Sequence, residues 1–297
     1  MTIEEAYQKC TALAETHYEN FPVGRLVKKK ARPHIHMVYA FARVADDYAD
    51  EGYVTESGKT PPTKEQRLEW LNHYEEQLTN AFMKKPIDPK LEWIFLALAD
   101  TAQKHIIPKQ LFYDLLSAFK QDVTKTRYET FDEVMDYCRR SANPVGRLVL
   151  HLHDYRDEEM HKLSDCICTA LQLANFWQDV AVDALKDRIY IPREDIKNFG
   201  CEEKIILSKD STPEFRKCLE FQVNRTWNLF NKGHNLPSML THGLAWEIRL
   251  TWLGGTEILR KIEKQNYDTL SRRPKLSKWD VLRLLPWAWF TQNTRSL

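Results

Sequence analysis

Apolar side chains recur at helical spacing along almost the whole chain, and this repeat constrains the fold more than any other feature. Residues 3–19 place Ala6, Tyr7, Cys10, Leu13, Ala14 and Tyr18 on one face. Pro33 can open a second helix carrying Met37, Val38, Tyr39, Phe41 and Val44. Gly52, Gly58 and the Pro61-Pro62 pair mark 51–62 as a loop. Helices are predicted over 64–84, 90–104 and 108–121, punctuated by Pro86, Pro89 and Pro108. Thr130, with Glu133 three residues on, predicts a capped helix over 131–153. Helices over 157–185, 213–234, 242–271 and 276–285 follow, with Arg188–Pro192 as an extended exit. The chain has 9 glycines in 297 residues, where roughly 7 % is usual. That is too few for the turns of a β-sandwich, a barrel or a glycine-rich phosphate loop. The expectation is one all-α domain over 1–297, with no internal repeat and no linker.

Charge removes another class of partner. Lys and Arg number 43 against 42 Asp and Glu, for a net +1, so the broad basic footprint of a nucleic-acid binder is missing. The six cysteines, at 10, 138, 166, 168, 201 and 218, follow no metal-ligand spacing and read as reduced thiols, mostly in the core. The start, MTIEEAYQKC, lacks an apolar signal core, and no run of apolar residues is long enough to span a bilayer. These features point to a cytoplasmic chain.

Two acidic constellations stand out. In Ala45-Asp46-Asp47-Tyr48-Ala49-Asp50-Glu51, Asp46 and Asp50 are four apart and share a helix face. Taken alone, this segment reads as a solvated acidic helix end paired with Arg43. The second constellation lies in the apolar stretch 171–183, where Gln172, Asn175, Asp179 and Asp183 draw one polar stripe. A helix apolar on its other sides is normally buried, and buried carboxylates need partners or metals. A polar seam between packed helices is the alternative. Carboxylate and amide oxygens suit Mg²⁺, which is typically completed by substrate phosphates. Two such sites could bridge a diphosphate and favour its departure. Arg43, Arg188 and the Arg272-Arg273 pair could complete the clamp, or serve as surface charges. Aromatic residues, 11 % of the chain, could wall a carbocation.

These residues resemble the squalene/phytoene synthase family, the head-to-head branch of the all-α isoprenoid synthases. The string from Tyr39 to Glu51 is similar to its first aspartate motif. Gln172 to Asp183, followed by Asp187-Arg188-Ile189-Tyr190-Ile191-Pro192, is similar to its second. The resemblance implies a helical bundle with a central active-site cavity. It implies that Asp46, Asp50, Asp179 and Asp183 hold about two or three Mg²⁺ ions with the diphosphate, assisted by Asn175. It places Gln172 and Tyr137 at the reacting centre, and Tyr39, Arg43, Arg188, Tyr190 and Arg273 on the diphosphate. Phe21 and Asn143 join the substrate-binding set. No nicotinamide or flavin is implied. A tyrosine found near the active site in some relatives aligns with Gly255.

The family's serine-containing N-terminal diphosphate segment is replaced here by His17-Tyr18-Glu19-Asn20-Phe21-Pro22-Val23. This segment, with Arg140-Ser141-Ala142-Asn143-Pro144-Val145-Gly146, resembles the hydroxysqualene synthase branch of bacterial squalene and hopanoid pathways. The resemblance implies conversion of presqualene diphosphate and water to hydroxysqualene. It also implies functional partnership with a presqualene diphosphate synthase and a flavin-dependent oxidoreductase that forms squalene. The alternatives are condensation of two farnesyl diphosphates, or of two geranylgeranyl diphosphates to phytoene. A remote alternative is an inactive assembly factor. The segment Trp279–Phe290 reads as a core-packing helix, or as peripheral contact with the inner face of the membrane.

Overall fold

The computed structural model describes residues 1–16, 30–50 and 61–290. Thirteen α-helices appear among them, with no strand. The first five are α1 (Ile3–Thr16), α2 (Arg32–Ala49), α3 (Lys64–Phe82), α4 (Glu92–Lys104) and α5 (Gln110–Thr124). Next come α6 (Phe131–Ser141), α7 (Asn143–Leu152) and the long α8 (Glu158–Asp183). Two short helices, α9 (Arg193–Asn198) and α10 (Glu203–Ser208), precede α11 (Pro213–Gly233), α12 (His242–Lys264) and α13 (Lys278–Phe290). No described helix is long and apolar enough to cross a membrane. All six cysteines are free thiols, with Cys10, Cys138, Cys201 and Cys218 buried.

Local chemistry sets the helix ends. Thr63 and Gln66 form a reciprocal capping box at α3. At α6 the Thr130 side chain accepts from Glu133 N–H at 3.3 Å, as the sequence suggests. The Glu133 carboxylate, however, accepts from Glu129 N–H, one residue before the cap. Asp157 caps α8 by accepting from the Glu159 and Met160 amides. The helix expected over 131–153 is two helices, broken at Ala142. Pro144 has no N–H to donate, and its ring crowds the preceding turn. The helix expected to reach 271 stops at Lys264, and the last one runs on to Phe290 through Pro286. The short α9 and α10 give no readable period in the sequence.

The helices gather into two compact units, residues 1–125 with 144–156 and residues 126–143 with 157–297. In the first, α2 runs against α1, α3, α4 and α5. Phe41 of α2 stacks on Tyr74 at 5.4 Å and meets Phe95 and Phe112 edge-on. The fully buried Tyr74 hydroxyl donates to the Phe41 carbonyl. In the second unit α8 is the spine, packed by α11, α12 and α6. Gly233 lets α11 approach closely, because a Cβ there would stand 2.5 Å from Ile167 Cγ1 and 2.9 Å from the Leu163 carbonyl. Trp177 Nε1 donates to Thr226 Oγ1 at 2.8 Å and anchors the apolar side of α8 on α11.

Candidate active site

The first aspartate motif closes α2. The apolar side of that helix is fixed in the core by Phe41 and Ala45, which leaves Asp46 exposed and Asp47 half-buried on the turn that follows. The helix stops at Ala49, so Asp50 is not the helical residue its spacing predicts. It has extended geometry, while its N–H still donates to the Asp46 carbonyl at 2.9 Å. The two carboxylates therefore flank a helix terminus. Arg43 lies 2.5 Å from Asp47 and 3.4 Å from Asp46. Its pairing with the acids matches the plainer of the two sequence readings. Tyr39 is half-buried one turn earlier.

Arg67 of α3 is the residue the sequence did not flag. It is buried, and its Nη1 donates to the Ala49 carbonyl at 2.9 Å. A cation at the C-terminus of α2 complements the helix dipole and fixes the turn that carries the acids. Tyr48 packs on Trp70 and Tyr74 and locks the same turn to α3. Nothing in the local spacing of Arg67 marks it, because its partner is a backbone carbonyl far away in sequence.

The second motif runs along α8. Gln172, Asp179 and Asp183 are half-buried and Asn175 is exposed, while Leu173, Ala174, Phe176, Trp177 and Val180 are buried. The polar stripe is real. It is not a sealed seam between helices, since Asn175 reaches solvent. Arg273 grips Asp179 from the α12–α13 connection. Its Nε donates to one carboxylate oxygen and its Nη2 to the other at 3.1 Å. The Asp179 carboxylate, aided by Asp183, pushes the Arg273 guanidinium above its ordinary value. Gln178 Nε2 donates to the Pro274 carbonyl and holds the connection in place. Arg272 is exposed, with its carbonyl taken by Gln265.

Past Asp183 the chain turns through Asp187, whose φ of 51° is left-handed. Arg127 fixes that strained residue, donating to the Asp187 carboxylate at 2.6 Å, to its carbonyl, and to Glu203 at 2.8 Å. Backbone bonds from Ile189 to Thr126 and from Arg193 to Tyr128 then lay the extended exit against 126–128. Tyr190 is thereby delivered onto Phe176, with rings 3.6 Å apart and 9° from parallel. Tyr128 stacks on the other side at 5.5 Å. Tyr137 of α6, buried, approaches Phe176 and Tyr190 at 5.9 and 6.1 Å. Half-buried Arg188 precedes this aromatic group, its N–H bonded to the Asp183 carbonyl. Asn143 is buried and accepts from the Thr169 hydroxyl at 2.8 Å, so its amide oxygen supports α8. Tyr128 and Arg127 were not legible beforehand, since they act across a separation of about sixty residues.

Gly255 sits where α12 touches α8. A Cβ there would stand 2.6 Å from both Leu171 Cδ2 and Phe230 Cζ, so the approach leaves no room for the tyrosine of some relatives. Phe21, Glu51 and the segment 17–23 lie outside the described residues. A groove of about 580 Å³ in the first unit, lined by Phe82, Ile87, Phe95 and Leu96 among others, holds none of the motif residues.

The donors fit a hard divalent cation. Among the described residues no three His, Cys, Asp or Glu side chains gather into a ready-made cage. Carboxylate and amide oxygens are the donor types that a hard divalent cation takes, with phosphate oxygens completing its shell.

The profile of the squalene/phytoene synthase family matches residues 14–280. The chain belongs to this family. Among its relatives, a hydroxysqualene synthase of Rhodopseudomonas palustris is 33 % identical over 261 residues, covering 87 % of this chain and 83 % of that one. A phytoene synthase of Arthrospira platensis is 27 % identical over 301 residues, covering 97 % and 93 %. Squalene synthase HpnC from Alicyclobacillus acidocaldarius superposes with a TM-score of 0.80 at 37 % identity, covering 89 % of this chain and 95 % of that one. A dehydrosqualene synthase in complex with a ligand shares the fold, with a TM-score of 0.78 at 21 % identity over 97 % and 96 % of the two chains. Family membership carries an all-α isoprenoid-synthase fold and diphosphate substrates.

Proposed function

We propose that this member of the family converts presqualene diphosphate and water to hydroxysqualene and diphosphate. The observation that carries the reading is the pattern of likeness. Identity is 33 % and 31 % to hydroxysqualene synthases, against 26–28 % to phytoene synthases. The departures at Glu19 and around Asn143 support the same branch. In this reading Asp46, Asp50, Asn175, Asp179 and Asp183 are the metal ligands. They would hold Mg²⁺, which supplies positive charge where the departing diphosphate gathers negative charge. Arg273, Arg43, Arg188, Tyr39 and Tyr190 orient the diphosphate, and Phe21 and Asn143 border the substrate.

The C–O bond breaks with its electron pair leaving on the diphosphate. The cyclopropylcarbinyl cation rearranges, water adds through its oxygen, and a proton passes to the released diphosphate. Tyr137 stabilises the cation by its ring quadrupole, and the stacked Phe176 and Tyr190 beside it keep bulk water away until rearrangement is complete. The candidates to position the captured water are Tyr137, Asn143, Gln172 and Asn175. No nicotinamide or flavin enters, because no electrons are gained. The substrate comes from a synthase that joins two farnesyl diphosphates, and a flavin-dependent oxidoreductase consumes the product.

A second reading is the head-to-head condensation itself. It is favoured by the phytoene synthases, whose likeness extends over 96–97 % of this chain. Incubating the protein with presqualene, farnesyl and geranylgeranyl diphosphates in parallel separates the two. The first reading expects hydroxysqualene from presqualene diphosphate alone. Phytoene or presqualene diphosphate from the other tubes would establish the second.

A further inference from the structure

Helix α6 meets α8 along one antiparallel row of contacts. The Tyr137 ring approaches Phe176 at 5.9 Å, and further along α6 Asn143 accepts from the Thr169 hydroxyl at 2.8 Å. Gln172 is three residues after Thr169 and four before Phe176, so it shares their face of α8. On α6, Ser141 is one turn beyond Tyr137. One turn along each helix from the Tyr137–Phe176 contact therefore brings Ser141 and Gln172 to the same level. The charges of α6 are paired with one another, Asp136 with Arg139 at 2.7 Å and with Arg140 at 2.8 Å. The Ser141 hydroxyl oxygen is buried and has no hydrogen-bond partner among the described residues. It does not bond back to the Tyr137 carbonyl, the usual resort of a serine inside a helix. A hydroxyl in this state keeps one donor and two acceptor lone pairs unused, which native folds rarely leave in the interior without a reason. Gln172 is half-buried, and its amide is likewise not engaged by any described residue. The Asn143 amide oxygen, by contrast, already accepts from Thr169.

We propose that the Ser141 hydroxyl holds the water that the carbocation captures, with the Gln172 amide as its second anchor. This inference deepens the hydroxysqualene reading and rests on it. A trapped water needs at least two polar partners, and Ser141 and Gln172 are two unengaged ones at one level of the α6–α8 seam. The Ser141 oxygen accepts one O–H of the water, which leaves a lone pair on the water oxygen free to attack. That lone pair forms the new C–O bond, and the proton released passes to the diphosphate. The level matters as much as the chemistry. Asp179 and Asp183 lie beyond Phe176 along α8, whereas Ser141 and Gln172 lie on its near side. The water is therefore anchored away from the metal end, next to the Tyr137 ring. There it meets the charge once rearrangement has moved it from the carbon that released diphosphate.

The test compares the parent with Ser141→Ala and Ser141→Thr. Each is incubated with presqualene diphosphate and Mg²⁺, and released diphosphate and organic products are measured in the same tube. In Ser141→Ala, diphosphate release should stay within about threefold of the parent, while the ratio of hydroxysqualene to hydrocarbon formed by proton loss falls roughly tenfold or more. Ser141→Thr keeps the hydroxyl and should return that ratio to within about threefold of the parent. Ser141→Ala should also melt no lower than the parent, because it removes a hydroxyl that bonds nothing. An unchanged product ratio in Ser141→Ala would overturn the proposal and leave the reaction assignment standing. So would a lower melting temperature in Ser141→Ala, which would make the hydroxyl a structural anchor. A loss of diphosphate release as large as the loss of alcohol would also overturn it, by placing Ser141 in the ionisation step. A parent that makes no hydroxysqualene would overturn the reaction assignment, and this proposal with it.

Discussion

The Arg273–Asp179 clamp makes a prediction whose size follows from its exposure. Arg273→Gln removes a guanidinium that forks onto both oxygens of a carboxylate. An exposed ion pair contributes about 0.2–1 kcal/mol. Breaking a fully buried one costs about 3–5 kcal/mol. Asp179 is only 14 % exposed, but Arg273 is 34 % exposed, so water screens one partner and the value must be discounted toward the lower range. A double-mutant cycle of Arg273→Gln, Asp179→Asn and the pair should give a coupling energy of about 1–2 kcal/mol. The assay is urea unfolding of the four proteins. The coupling should shrink in high salt, because one partner faces solvent. Additive effects, with a coupling below about 0.3 kcal/mol, would refute the clamp. With it would go the argument that the α12–α13 connection is fastened to α8 at this point.

Three further outcomes follow from other parts of the structure. Asp50→Ala and Asp183→Ala should each lower turnover at least a thousand-fold while leaving the melting temperature within a few degrees, since both acids are at least partly exposed; retained turnover in either would contradict the metal assignment. Burial, together with His105 and Lys104, holds His34 down to about 4 from its usual 6.5. The unfolded chain therefore takes up this proton first, and the stability contributed by neutral His34 is full above pH 6.5 and lost as pH falls toward about 4; a stability difference between parent and His34→Gln that stays constant across that window would exclude it. Gly255→Ala should cost about 1–3 kcal/mol by thermal or urea unfolding, because its Cβ meets Leu171 and Phe230 at 2.6 Å, and an unchanged midpoint would show that the helices can part freely.

Which parts of this were legible in the sequence depends on the range of the interaction. The stripe from Gln172 to Asp183 was readable because a helix repeats its faces within a few residues, and α8 carries it as expected. The end of α2 was readable only to within a turn. Asp50 lies just beyond the helix, where Arg67 takes the last carbonyl, and no local signal announces a cap supplied by another helix. The break between α6 and α7 was present in Pro144, but the strong apolar period on both sides concealed it. Arg127 and Tyr128 escaped notice for the same reason as Arg67. Their partners, Asp187 and Tyr190, are distant in sequence and meet them only once the exit segment has folded back. Gly255 could be named as a departure from relatives, but its cause is the contact with Leu171 and Phe230, which only packing reveals.

The central claim is that water, not a second prenyl chain, is the partner of the carbocation. The protein should be incubated with presqualene diphosphate and Mg²⁺ in ¹⁸O-labelled water, without any nicotinamide, and the hydrocarbon fraction analysed by mass spectrometry. The account predicts hydroxysqualene carrying one ¹⁸O atom and an equal amount of released diphosphate. Untouched presqualene diphosphate, alongside consumption of farnesyl or geranylgeranyl diphosphate in a parallel tube, would contradict it.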